Sequence, residues 1–311
     1  MKQLGTNLGL VFVVTLTFCC AIPVYAEDIR TSIILSANVS AYSDAIAGFK
    51  DSGSFKVLQT HDMRGDASRG ETIMARIEKR ERPDVILAVG PWALKAALDY
   101  ESKIPVVYTM VMNPLMFTAG KPGVTGAGMN VSVAITFDVL KRVKPNLKSI
   151  GVMYSQRATS DIVNKARVIA QKAGIDLRAK QVASSKDVLE SLREFGSRPV
   201  EFIWILPDPV VVSPAMFKRI SLFSIRSRTP LLGSSEKQAK TGATIALSFS
   251  SADDIGKQAG ELAKQWIGKG DAVPLPTEAR ATKLTINLNV ADRHGLPLSK
   301  DVLAEADTVI D

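Results

Sequence analysis

The sequence predicts an α/β protein of two open, Rossmann-like lobes, each a parallel sheet flanked by helices. Short apolar runs of strand length alternate with amphipathic stretches of helix length from residue 32 onward, the pattern of a parallel sheet covered by helices. The strand-like runs form two series, separated by a glycine-rich stretch at 120–128. Setting aside a 26-residue leader leaves 285 of the 311 residues, enough for two lobes of ordinary size.

The leader comes first. Lys2 supplies a positive start, Leu8 to Ile22 an apolar run, and Val24-Tyr25-Ala26 the small residues a signal peptidase needs. The apolar run falls short of the ~18 residues a membrane span requires. Cleavage would start the mature chain near Glu27, outside the cytoplasm, in the periplasm. Both cysteines, Cys19 and Cys20, lie in this leader, so the mature chain would carry no disulfide, no catalytic cysteine and no thiolate zinc site. Phe18 before Cys19 does not fit a lipoprotein signal, so a freely soluble product is expected.

The first series of strands is expected at 32–35, 55–59, 84–89 and 105–111, with Pro91 tolerated in the first turn of a helix. The stretch 120–128 is the first expected crossing between lobes. The second series is expected at 149–154, 176–182, 201–206, 230–233, 243–249 and 283–289. Ser160 can cap a helix whose apolar face is Ile162, Val163, Ala166, Ile169, Ala170 and Ala173, closed by Gly174. Ser251 with Asp254 makes a capping-box-like start, and Ile255, Ala259, Leu262 and Trp266 then share one face.

Charge narrows the partners. The chain carries 39 Lys+Arg against 31 Asp+Glu, and losing Lys2 with the leader lowers the net charge from +8 to +7. The densest basic groups, Lys141, Arg142, Lys144 and Lys148, then Lys218, Arg219, Arg226 and Arg228, read as solvated faces. Without aromatic interleaving, nucleic acid is not an expected partner. No Gly-x-Ser-x-Gly and no His partner for a Ser-His-Asp set are present, which argues against a hydrolase and leaves no catalytic residue to name. His61 with Asp62 and Asp66 reads as a solvated turn rather than a metal site. Gly126-Ala127-Gly128 lacks the third glycine of a dinucleotide loop, since Val131 stands there, and reads as a hinge. No cofactor and no metal are expected.

In open α/β sheets, ligands lie beyond the carboxyl ends of the strands. The loops there carry Ser36, Asn38 and Ser40; Gly90 and Trp92; Asn113; Tyr154 and Ser155; Asp208; and Ser234 and Ser235. Thr109, Asn130 and Ser248 complete the expected ligand-binding set, with Gly126, Gly128 and Phe249 as hinge residues. A lining of small hydroxyls, amides and Gly/Pro suits a modest polar or zwitterionic molecule held by directional hydrogen bonds. Trp204 and Trp266 read as core.

The runs "IPVVYTMVMNPL" and "KPGVTGAGMN", then "LKRVKPNLKSIGVMYS" and "ATKLTINLNVADRHGLPLSKDVLAEADTVID", resemble the exported substrate-binding proteins of the ABC-transporter group that includes tryptophan/tyrosine-binding members. The resemblance covers essentially all of the mature chain. It implies a periplasmic-binding-protein-like fold with a three-segment hinge, its crossings near 123–130, 248–251 and 272–278, and a closing strand followed by a terminal helix. Lobe 1 would comprise 27–124 plus 250–272, and lobe 2 125–249 plus 273–311. Where that group has Asp before proline, this chain has Asn113, which forfeits a charge-assisted contact to an α-ammonium. Asp208 could supply the missing charge and Trp92 an aromatic face. The expected function is capture of a small solute by a monomer and delivery to an ABC permease. The alternative is ligand sensing on behalf of a membrane kinase or cyclase.

Overall fold

The computed structural model describes residues 28–269 and 272–311; the expected leader, with both cysteines, lies outside the described residues. One sheet joins β1 (Ile29–Leu35), β2 (Phe55–Asp62), β3 (Val85–Val89), β4 (Val106–Val111), β5 (Val124–Val131) and β11 (Thr277–Ala279). Its order is β11-β5-β4-β3-β1-β2, and all neighbours are parallel. The other joins β6 (Ser149–Tyr154), β7 (Asp176–Gln181), β8 (Phe202–Trp204), β9 (Leu231–Gly233), β10 (Ile245–Phe249), β12 (Thr282–Asn287) and β13 (Thr308–Ile310). Its order is β13-β12-β10-β9-β8-β6-β7, parallel throughout except where β12 runs against β10.

The central strands of each sheet are buried on both faces, which explains their uninterrupted apolar runs. In β1, Ile33 and Leu35 face α1 (Ser40–Asp51) and α10 (Ala252–Lys269), while Ile34 faces α2 (Arg69–Arg76) and α3 (Pro91–Asp99). The second sheet is covered on one side by α5 (Val133–Val143) and α6 (Ser160–Ala173), and on the other by α7 (Ser185–Ser197) and α8 (Pro214–Ser227). Shorter helices complete the fold: α4 (Leu115–Thr118), α9 (Glu236–Lys240), α11 (Leu288–His294) and α12 (Lys300–Ala304).

The chain passes between sheets after β5, between β10 and α10, and between β11 and β12. The last two passages are tied together by a hydrogen bond that Ser250 N donates to Ala281 O at 2.9 Å. The expected second crossing, 248–251, spans the last residues of β10 and the link to α10. The first and third do not fall where the sequence suggested. Gly126 and Gly128 are strand residues of β5, not hinge residues, so 125–131 belongs with the first sheet. The reason is packing: a Cβ on Gly126 would overlap the Tyr108 carbonyl and ring. The neighbouring loop glycines are Gly120 and Gly123, both at positive φ. Residues 277–279, placed in lobe 2 by sequence, likewise pair with β5.

Other expectations are corrected locally. The strand expected over 283–289 stops at Asn287, whose side chain accepts from Val290 N at 3.0 Å and starts α11. The expected terminal helix is the short α12 followed by a strand, β13. Thr159, not Ser160, precedes α6, while Gly174 closes it at φ 68° as expected. His61 is no solvated turn: it is buried in β2, with Nε2 2.7 Å from Glu81 Oε1. Ser251 caps α10, accepting from Asp254 N at 3.1 Å.

α10 leaves the second sheet and docks on α1 almost backbone to backbone. A Cβ on Gly256 would overlap the Ala45 carbonyl, one on Gly48 the Asp253 carbonyl, and one on Gly260 the Ser52 hydroxyl. Gly256→Ala is therefore expected to destabilise the fold by about 1–3 kcal/mol despite the better helix propensity of alanine, read as a lower denaturant midpoint at unchanged slope.

His294 joins three elements of the second lobe. Its Nε2 lies 3.0 Å from Ser224 Oγ on α8, and its Nδ1 lies 3.0 Å from Thr244 Oγ1, one residue before β10. Burial holds its pKa below the ordinary 6.5. As pH falls through that value the unfolded chain takes up the proton first, so stability present above it is lost toward the lower folded-state pKa. The melting temperature should fall as pH drops below 6.5, and the slope should shrink in His294→Gln. Equal slopes in the two proteins would count against this assignment.

Candidate functional site

The loop after β4 of the first sheet meets the loops after β8 and β9 of the second. The lobes meet most directly at Asn113, which follows β4. Its Nδ2 donates to Pro207 O at 2.8 Å, a bond between lobes. Its backbone N donates to Asn130 Oδ1 at 2.8 Å, and Asn130 Nδ2 donates to Asn113 Oδ1 at 2.6 Å. Asn113 sits at φ 49° and Met110 at φ 56°, where the pairing of β4 with β5 shifts register. Asparagine tolerates this region, whereas a methionine there costs about 1–2 kcal/mol. A second interlobe contact joins Lys165 Nζ of α6 to Glu278 Oε1 of β11 at 2.9 Å.

Two small cavities flank Asn130. One, about 40 Å³, is walled by Met112, Met129, Ile162, Trp204 and Leu247, with Thr136, Asn130, Ser234 and Ser248 as its polar side. The other, about 90 Å³, lies among Tyr108, Asn113, Gly128, Asp161, Lys165 and Glu278. Burial pushes the Tyr108 phenol well above its ordinary pKa, so it stays a neutral hydroxyl. Trp204 packs edge-on against Phe137, with ring centroids 6.2 Å apart at 85°, an arrangement that fixes its ring.

Of the residues expected from the strand-end rule, Asn113, Asn130, Ser234 and Ser248 line these cavities. The remainder line neither. Ser36 Oγ accepts from Ala93 N at 3.0 Å, capping α3, and Gly90, at φ 88°, leaves room for the Tyr42 and Ser36 hydroxyls where a Cβ would overlap. Asn38 and Ser40 are exposed at the start of α1, and Trp92 is 47% exposed on α3. Thr109 is buried within β4. Tyr154 ends β6 and packs against the second-lobe core. Ser235 caps α9 by accepting from Gln238 N at 3.3 Å.

Asp208, expected to offer a charge to the ligand, is wholly buried and committed to its own lobe. Oδ2 accepts from Ser155 N and Ser155 Oγ, both at 2.7 Å, and from Thr159 Oγ1 at 2.6 Å; Oδ1 accepts from Val210 N at 2.9 Å. Four donors satisfy the carboxylate and join the β8 loop to the start of α6. Ser155 is spent in the same bonds.

Trp204 lies in the core as expected and also walls a cavity; the sequence reading did not single out Thr136, Asp161, Ile162 and Lys165 as site residues, and they occupy the first turns of α5 and α6. The available signal was that these helices begin at the same sheet edge as the loops. Asp208→Asn removes one acceptor oxygen from a buried set of donors and is expected to cost roughly 1–3 kcal/mol, seen as a lower melting temperature with or without ligand. An unchanged melting temperature would show that these donors find other partners.

Known proteins share this architecture. A tyrosine-binding protein of Clostridioides difficile strain R20291 is 24% identical over 252 residues, spanning 77% of this chain and 70% of that protein. The ligand-free, open structure of a substrate binding protein with adhesive properties from Clostridium difficile superposes at a TM-score of 0.69 and 19% identity, covering 91% of this chain and 99% of the other. The ABC domain from Streptococcus pneumonia in complex with L-Trp superposes at 0.61 and 20% identity, covering 91% and 100%. The ABC transporter substrate binding protein family matches residues 35–310, and the chain belongs to that family.

Proposed function

We propose that this chain captures an amino acid with an aromatic or large apolar side chain between its lobes and delivers it to an ABC permease. Export by a cleaved leader over 1–26 and action as a periplasmic monomer belong to the same proposal, as does a three-segment hinge at the passages after β5, between β10 and α10, and between β11 and β12. The observation that carries it is the double character of the cleft. Trp204, Met112, Met129, Ile162 and Leu247 form an apolar wall, and the amides of Asn113 and Asn130 and the hydroxyls of Ser234 and Ser248 lie beside it. The tyrosine-binding and L-Trp-bound relatives support the same solute class.

Charge for a zwitterion comes from α6 and β11 rather than from Asp208. Asp161 and Glu278 suit an α-ammonium, and Lys165 suits an α-carboxylate once its pairing with Glu278 is exchanged for the solute. The cavities are small because the lobes touch at Asn113 and Lys165, so entry requires opening about the hinge, and closure is biased by the bound solute.

Titration calorimetry with L-tyrosine, L-tryptophan, L-phenylalanine and L-leucine tests this. At least one is expected to bind saturably and to change the fluorescence of Trp204. Asn113→Ala and Asp161→Asn should each weaken binding about tenfold, close to 1.4 kcal/mol. Saturable binding of a sugar with no response to any amino acid would overturn the reading.

A further inference from the structure

A second concavity lies outside the cleft, on the side of the second sheet covered by α8, α9 and α11. α9 has five residues against fourteen in α8, so it leaves the flank of α8 uncovered. The result is a groove of about 860 Å³, within the range of roughly 300–1,000 Å³ found for small-molecule sites. Its floor and wall are apolar, formed by Val212, Phe217, Leu222, Ile225 and Val290, and Leu222 stands 50% exposed. Its rim carries Lys218, Lys237 and Arg293, and no acidic residue lines it. Among the described residues, none of these three cations makes an ion pair. At one end Met112, Pro207 and Ser234 line both this groove and the cleft cavity.

An apolar trough under an uncompensated positive rim complements a molecule with a hydrocarbon body and an anionic head. Within its lining Gly242, at φ 129°, packs against α8, where an added Cβ would lie 2.9 Å from the Ser221 side chain. From Pro214 to Ile225 the flank of α8 runs about 16 Å at 1.5 Å per residue, long enough for a medium-length acyl chain.

We propose that this groove binds a free, linear amphiphilic anion, its chain lying along α8 and its head meeting Lys218, Lys237 or Arg293. The site adjoins the cleft at Met112, Pro207 and Ser234, but its ligand lies along α8, outside the cleft. Met112 comes from the first lobe, so an occupied groove also touches the element that closes the cleft.

Titration of the mature chain with monomeric dodecanoate, below its micellar concentration, tests the proposal. Saturable binding at one equivalent is expected, with octanoate and dodecyltrimethylammonium each at least tenfold weaker. Leu222→Glu, at an exposed position, should weaken dodecanoate at least tenfold with an unchanged melting temperature and unchanged amino-acid binding. Lys237→Glu should narrow the preference for the anion over the cation. Absence of saturable binding, equal affinity for the cationic amphiphile, or indifference to Leu222→Glu would overturn the proposal. Displacement of dodecanoate by L-tyrosine would place it in the cleft instead and overturn it too. Binding confined to phosphatidylglycerol vesicles would make the face a membrane contact and would likewise overturn a site for a free anion. Loss of amino-acid binding alone would leave the groove standing and count only against the cleft reading.

Discussion

The approach of α10 to α1 without intervening side chains sets the frame for the rest of this molecule. Because Gly48, Gly256 and Gly260 carry no Cβ, α10 sits against α1 and the edge of the first sheet although β10, which precedes it, lies in the second. A helix so held forces the chain to change lobes on either side of it. Those changes of direction lie beside each other, joined at Ser250 and Ala281. Two halves built from interleaved stretches of one chain thereby share a narrow set of connections, and the strand ends on both sides are brought opposite one another.

Within that frame, ionisable groups divide between holding loops and facing the cleft. Asp208 spends its carboxylate on four donors of its own lobe, a rigid arrangement that positions the start of α6. Rigidity there serves the neighbouring cavity, because Asp161, Ile162 and Lys165 are carried on that helix turn. A buried carboxylate that accepts from four donors is an anchor, since any departure leaves those donors without partners. Asn113 and Asn130 occupy the intermediate position: they brace each other, and Asn113 also reaches the opposite lobe.

The central strands were legible in the sequence because they are buried on both faces and read as continuous apolar runs, as in β3 and β4. Helix ends were legible where local chemistry is strong, as at Gly174 and Ser251. β5 was not, because its Gly126 accommodates Tyr108, a contact distant enough in sequence to leave no periodic trace. β11 and β13 have three residues each, too few for a pattern to declare itself. In the site, Asn113 and Ser234 followed from the strand-end rule. Asp208 and Ser36 obeyed the same rule yet turned inward, since a polar residue in such a loop can serve the backbone beside it as readily as a solute. Trp204 is core as expected, and it also walls the cavity, because an aromatic at a strand terminus is core on one side and wall on the other.

The bond from Asn113 to Pro207 involves an amide and a peptide carbonyl, neither of which titrates nor attracts counterions. Ordinary Debye screening acts on exposed charges and leaves such a bond nearly untouched. The link at Asn113 is thus indifferent to salinity and acidity, whereas the exposed Lys165–Glu278 pair beside it loosens as salt is added.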